Sequence, residues 1–341
     1  MNDFEKIINS IDLSNFIVSD KYICSVQENN FYNEIFIQYY KKLSDEDKSI
    51  SNSLINNFSR CNKIFNCDVY FDNEIIDFKS TLLCHDKFCS NCKKVKQASR
   101  LSRYIPYLNQ YKDNLYFLTL TLPNVCGVDL RSTLKLMSSC FRTLYRYLNG
   151  TIKCSFIDFS KYYSIGCVRS LETTYKNDDF YHPHYHCAIC FNEDFVLDKN
   201  ISNTYSYSNK NGFRLFSDLE IIIQKFWYML INKIRITKDN YDSIDIGYSC
   251  TLDKLNDYDF IDMFKYMTKS TDESGQVMSY DTFKCLYYST RFIKQIQGYG
   301  VFYLINDDDI DSEVDKIYCD IKYLLSNVSD VPSFCSYDLD T

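Results

Sequence analysis

Apolar positions recur with two different periods along this chain, and the switches between them predict its elements. Phe4, Ile7, Ile8 and Ile11 stand at i, i+3, i+4 and i+7 behind Asn2 or Asp3, which predicts an opening helix. The polar run SDEDKSISNS over 44–53 predicts a linker. YFLTLTL (116–122) is β-rich and is stopped by Pro123, and Leu134, Met137, Phe141, Leu144 and Leu148 form one face of a long helix. CSFIDF (154–159), GCVRSLETTY (166–175) and HYHCAICF (184–191) read as strands. SDLE over 217–220 is a capping box that opens a helix through Phe226, Leu230 and Ile234. A strand over 244–251 and a short helix over 257–269 complete the pattern. Strands mixed with helices, several of them adjacent in sequence, predict an α+β fold, an antiparallel sheet with helices on one face. Four segments follow: an N-terminal helical part, 1–59; a cysteine-rich, basic part, 60–110; a main domain, 111–304; and an acidic tail, 305–341.

Composition narrows the classes. The 341 residues are 45% hydrophobic and 24% charged, enough for one large core or two ordinary ones. No run approaches the roughly 18 apolar residues of a membrane span, and Asp3 and Glu5 occupy the start where a secretory signal would be basic. Sixteen cysteines amount to about 5% of the chain, short of a disulfide scaffold, so a reducing compartment such as the bacterial cytoplasm or an organelle stroma is expected, with some thiolates given to metal. None of the eight glycines falls into GxxxxGK[ST] or GxGxxG, which excludes a built-in ATPase or dinucleotide fold of those types. The formal charge of −7 argues against a nucleic-acid partner until it is divided. Residues 1–59 carry −4 and 305–341 carry −8, leaving +5 on the stretch between.

Three clusters could do chemistry. Of only four histidines, three are His182, His184 and His186, and on a strand of period two they share one face. Imidazoles alternating on one pleat suit a metal, with His184 and His186 as the natural pair and Glu172 within reach if the two strands form a hairpin. In the short helix, Asp262, Tyr266 and Lys269 fall within about 60° of one another, opposite Phe260, Phe264 and Met267. That face presents a phenol able to act as a covalent nucleophile, a carboxylate able to polarise water, and an ammonium able to stabilise a phosphate. The third cluster is C-x4-C-x2-C, Cys84, Cys89 and Cys92, which with Cys67 supplies four thiolates of structural-zinc type; Cys61 or His85 are the alternatives for the fourth place. Lys87, Lys93, Lys94, Lys96, Arg100 and Arg103 around and after it form a basic stretch able to follow a phosphate backbone, or simply a charged helix face.

FLTLTLPNV (117–125), LETTY with HPHYH, and DMFKYMTK (262–269) appear in the order and approximate spacing of the three motifs of rolling-circle replication initiators. The chain resembles the single-tyrosine plasmid initiators of the HUH endonuclease superfamily, over about residues 60–302. The resemblance implies an origin-specific single-strand DNA nickase. His184 and His186 would hold Mn²⁺ or Mg²⁺, with His182 or Glu172 completing the site. Tyr266 would attack the scissile phosphate, forming a 5′-phosphotyrosyl link and freeing a 3′-OH primer. Lys269 would sit beside that phosphate, and Asp262, where some members have Glu, would activate the terminating water. The partners implied are hairpin or single-stranded origin DNA, a host helicase and a DNA polymerase, with no membrane. A relaxase or transposase on the same core, and a non-catalytic zinc-containing DNA-binding regulator, are the alternatives.

Overall fold

The computed structural model describes residues 20–61, 65–70, 75–81, 83–176, 180–199, 201–203, 214–245, 247–256, 263–264, 269–271 and 275–305. The expected opening helix at Phe4–Ile11 and nearly all of the acidic tail lie outside them.

The described residues begin with helices α1 (Asp20–Glu46) and α2 (Asn52–Ser59). The linker expected over 44–53 shrinks to 47–51, because Ser51 caps α2 by accepting the Leu54 N–H at 3.2 Å and Ile50 is buried. Strands β1 (Phe65–Tyr70) and β2 (Ile75–Thr81) pair as a separate antiparallel ribbon, followed by α3 (Ser90–Asn109).

The main sheet is built from β3 (Leu115–Thr121), β4 (Val125–Cys126), β5 (Ser164–Lys176), β6 (Phe180–Phe191), β9 (Cys250–Lys254) and β10 (Ile296–Gly300), with a small β7–β8 ribbon (Ile201–Asn203, Arg214–Phe216) beside it. Its order is β10-β5-β6-β3-β9, every pair is antiparallel, and β4 resumes the pairing with β6 after Pro123 has interrupted β3. The α+β expectation with an antiparallel sheet therefore matches the architecture.

Helices α4 (Gly127–Leu148) and α5 (Asp218–Ile231) lie on one face of this sheet. Leu134, Met137, Phe141, Leu144 and Leu148 are all buried, and Phe141 and Trp227 both meet the ring of Tyr185 on β6. Trp227 Nε1 donates to the Thr121 carbonyl at 3.0 Å, fixing α5 across the end of β3. The capping box forms as the spacing predicts: Ser217 Oγ accepts from Glu220 N, and Glu220 Oε2 accepts from Ser217 N at 2.8 Å. Glu220 is fully buried and also accepts from Leu252 N, so the cap ties α5 to β9.

Helices α6 (Lys238–Ser243) and α7 (Tyr280–Ser289) follow. The rings of Phe36 and Tyr40 on α1 close on Phe88 and on Phe283 of α7, which joins the N-terminal helices to the body in one continuous core.

Two expected strands are corrected. Residues 154–159 form no strand but lead into a 3-10 turn, Phe159–Tyr162, because Asp158 caps it by accepting the Ser160 N–H at 3.0 Å. The strand expected at 244–251 starts only at Cys250, because the chain at Gly247 is pressed so closely on the Gln224 backbone that a Cβ would lie 2.2 Å from it. Of the helix expected over 257–269, only Met263, Phe264 and Lys269 fall among the described residues. Among those residues no helix is long and apolar enough to cross a membrane.

Candidate functional site

Strands β5 and β6 pair along almost their whole length, with Glu172 opposite His184 and Ser170 opposite His186. Cross-strand partners share a face, so Glu172, His184 and His186 project together while Tyr185 and Cys187 point to the helices. Glu172 Oε2 lies 3.1 Å from His184 Nε2 and 3.3 Å from His186 Nε2, and Oε1 lies 3.3 Å from Lys269 Nζ. One carboxylate thus meets two imidazoles and an ammonium. Burial pushes the Glu172 carboxyl up, but the two imidazoles and the nearby Lys269 charge outweigh it and hold the group well below the usual carboxylate range.

The neighbours of His184 limit what can occupy the site. Its Nδ1 lies 3.2 Å from the His182 carbonyl and its Nε2 faces Glu172, and both partners only accept. Two acceptors around one imidazole are satisfied by an imidazolium, or by a neutral ring with a cation shared between Nε2 and the carboxylate. His186 is held by stacking on Phe117, with ring centroids 5.3 Å apart and planes 16° apart, and its Nδ1 lies 3.5 Å from Thr119 Oγ1. Glu172, His184 and His186 offer two nitrogens and an oxygen within 4.8 Å of one another, a donor set that fits Mn²⁺ or Zn²⁺ by ligand type. His182 lies outside this set; its Nδ1 is 3.1 Å from Asn124 Oδ1. Of the two candidates for the third position, the geometry brings in Glu172.

Tyr266 and Asp262 lie outside the described residues. Their neighbours within reach are Phe264, buried with its ring 5.4 Å from that of Tyr104, and Lys269 at the glutamate.

A second cluster gathers at the start of α3. Cys61 at the end of α2, Cys84 after β2, and Cys89 and Cys92 bring their sulfurs within 4.8 Å of one another. The Cys61–Cys92 and Cys61–Cys89 separations are 3.5 Å and Cys84–Cys92 is 3.6 Å. Zinc–sulfur bonds of about 2.3 Å place the corners of a tetrahedron about 3.8 Å apart, so the corner is near zinc dimensions. The Asn33 side-chain amide donates to Cys89 Sγ and the Cys84 N–H to Cys61 Sγ, bonds that favour thiolate sulfur. The fourth thiol here is that of Cys61, the alternative, in place of the preferred Cys67. The fold explains the exchange: Cys67 is carried by β1 in the separate ribbon, its side chain outside the described set, whereas Cys61 closes α2 directly beside α3.

The basic stretch is corrected in part. Lys93 and Arg100 are nearly buried, donating to Ser270 Oγ at 3.1 Å and to Gln295 Oε1 at 2.7 Å, because α3 packs with these positions inward. Lys96 donates to the His85 carbonyl, Lys87 to the Tyr287 carbonyl and Thr290 Oγ1, and Lys94 and Arg103 are half-buried. A continuous DNA-facing row over 93–103 is thereby excluded. The Lys93–Ser270 bond instead joins the cysteine corner to the residue that follows Lys269. Sequence reasoning missed this link and also the Phe117–Thr119 support of His186, although the alternation in FLTLT carried the signal for the latter.

A family model described as a replication protein matches residues 76–323. A curated protein named "Protein rep" from Staphylococcus aureus is 33% identical over 159 residues, covering 45% of this chain and 62% of that protein. Another "Protein rep", from Streptococcus pneumoniae serotype 2, is 30% identical over 112 residues, covering 31% of this chain and 32% of that protein. The chain thus spans less than two thirds of the length of either relative. No solved structure matches it.

Proposed function

The chain belongs to this replication-protein family, and from that premise we propose that it is a plasmid replication initiator that nicks one strand of its origin DNA with Tyr266 as the nucleophile. The observation that carries the reading is the convergence of Glu172, His184 and His186 with Lys269 on one face of adjacent strands. Chain connectivity supports the assignment, since three residues span at most about 10 Å and Tyr266 is three from Lys269.

Held by the two imidazoles and Glu172, a divalent ion would supply Lewis acidity to the non-bridging oxygens of the scissile phosphate. The Tyr266 phenolate attacks phosphorus, the bond to the 3′ oxygen breaks, and that oxygen takes up a proton to become a 3′-OH primer. The 5′ phosphate stays on the tyrosine. Lys269 offsets charge on the phosphoryl oxygens during the transfer. Phe117 and Thr119 keep the His186 ring from turning. At termination Asp262 activates the attacking water. The phosphotyrosyl bond conserves the energy of the phosphodiester, so strand closure needs no ATP, and a host helicase and polymerase supply unwinding and synthesis. Such a protein works where plasmid DNA is replicated, in the cytoplasm.

The decisive experiment incubates full-length protein and labelled single-stranded origin DNA with Mn²⁺ or Mg²⁺. A denaturant-resistant adduct is expected with the wild type and none with Tyr266→Phe, which should still bind the DNA. No adduct with the wild type under any divalent ion would leave a DNA-binding regulator as the better reading. With Asp262→Ala the first nick should persist and termination fail; equal loss of both would remove the water-activating role.

A further inference from the structure

On the face of β5 turned away from the histidines, Arg169 is only 3% exposed. Its Nε donates to Tyr299 Oη and its Nη2 to Ser138 Oγ, both at 3.2 Å, and the guanidinium lies 4.6 Å from the centre of the Tyr185 ring. Nη1 has no hydrogen-bond partner among the described residues, and no carboxylate there pairs with the group. Arginine cannot shed its proton to escape this environment, and a buried charge without a counter-ion is costly.

Arg169 lines a cavity of about 640 Å³ between α4 and the β10 region. Lys135 and Arg142, two turns apart on α4, and Lys294 also line it, and among the described residues no acidic side chain does. At the same opening stand two exposed rings, Phe292 at 85% and Tyr303 at 69% exposure. Phe292 has φ +63°, a left-handed conformation that is unfavourable for so bulky a residue. The turn that carries it is fixed from α4, where Arg131 donates to the carbonyls of Tyr288 and Arg291.

We propose that this cavity is a second nucleic-acid site, which holds a segment of single-stranded DNA away from the scissile phosphate. A backbone phosphate sits against the exposed Lys135 and Arg142, with the buried Arg169 charge behind them, and unpaired bases stack on Phe292 and Tyr303. The cations gathered there attract the phosphates of a nucleic-acid backbone. Exposed rings beside them select a single strand, because a duplex keeps its base faces stacked inside. A free phosphate would use the cations and leave the rings idle. The assignment does not depend on nicking, since it concerns binding alone.

The test measures binding of full-length protein to a short fluorescent oligothymidylate by anisotropy across a salt series, without added divalent ion. Replacement of Arg169 itself could unfold the core, so the variants change exposed side chains: Lys135→Glu with Arg142→Glu, and Phe292→Ala with Tyr303→Ala. Thermal unfolding curves matching the wild type show that the fold is kept. Charge reversal should weaken binding at least tenfold and reduce the slope of log affinity against log salt by about 0.7 for each phosphate that is no longer neutralised. Ring removal should weaken oligothymidylate binding about fivefold or more while leaving an abasic strand of equal length and a duplex unaffected. Unchanged affinity and slope after charge reversal would overturn the site. Equal losses for oligothymidylate, abasic strand and duplex would overturn the single-strand assignment, and full competition by inorganic phosphate at millimolar concentration would reduce the site to one for a small anion.

Discussion

Glu172 is the residue on which the histidine site turns, because the same carboxylate meets His184, His186 and Lys269. Glu172→Gln keeps the shape and removes the charge. Mn²⁺ affinity measured by calorimetry should fall on the order of tenfold or more, a loss at least as large as that seen when the hydrogen-bond partners of metal ligands are removed. An unchanged affinity would place the ion elsewhere. The histidine face was legible in the sequence because the strand period is fixed: residues at 182, 184 and 186 must share a face and a hairpin partner at 172 can reach them, but parity left the third position open between His182 and Glu172. The cysteine corner was legible in type but not in membership, since spacing does not say which of two upstream thiols the chain folds back. Cys61→Ser should therefore lower the zinc content per chain and Cys67→Ser should leave it unchanged, as read by a colorimetric chelator after denaturation; the reverse result would restore Cys67.

At the scale of elements, the α5 cap shows how a local motif becomes a tertiary joint. Ser217→Ala removes the hydroxyl that accepts the Glu220 N–H and donates to its carboxylate at 3.0 Å. The cost should be about 1–2 kcal/mol in denaturant unfolding, at the upper end for a cap because Glu220 is buried. A second joint ties the α1–α2 turn to α7: Asp47 accepts from Tyr288 Oη at 2.6 Å and from the Ser49 N–H at 2.9 Å. The tyrosine hydroxyl, then the Ser49 bonds, lower its carboxyl to about 2 from 3.8. A carboxyl depressed in the fold contributes stability above its unfolded pKa and loses it as pH falls through the folded one. The stability difference between wild type and Asp47→Asn should thus be present at pH 7 and fade between about pH 4 and pH 2; a pH-independent difference would refute the linkage. Long periodic elements such as α4 and β5–β6 were readable because they bury a whole face. The stretch 154–159 misled because its apolar residues pack around a turn with no strand beside them among the described residues, which composition alone does not reveal.

For the whole molecule, charge distribution remains the broadest lever. Removing residues 306–341, which hold ten acids and two bases, moves the formal charge from −7 to +1. DNA affinity at low salt should rise and the gain should vanish at high salt, where charges farther apart than a Debye length are screened; equal affinity of both forms at low salt would show that the tail does not act through charge. How the parts come together in time follows from the β5–β6 hairpin. Glu172 and His184 are 12 residues apart, so their pairing closes one short loop, whereas Lys269 must be brought back across 97 residues of sequence from Glu172. Loop closure grows costlier with length, and long-range contacts slow folding. The Glu172–His184–His186 trio is therefore assembled early and locally, while Lys269 joins it only after the intervening chain has folded back, so on the proposed function a nascent chain would hold an ion before it gained the means to cut a strand.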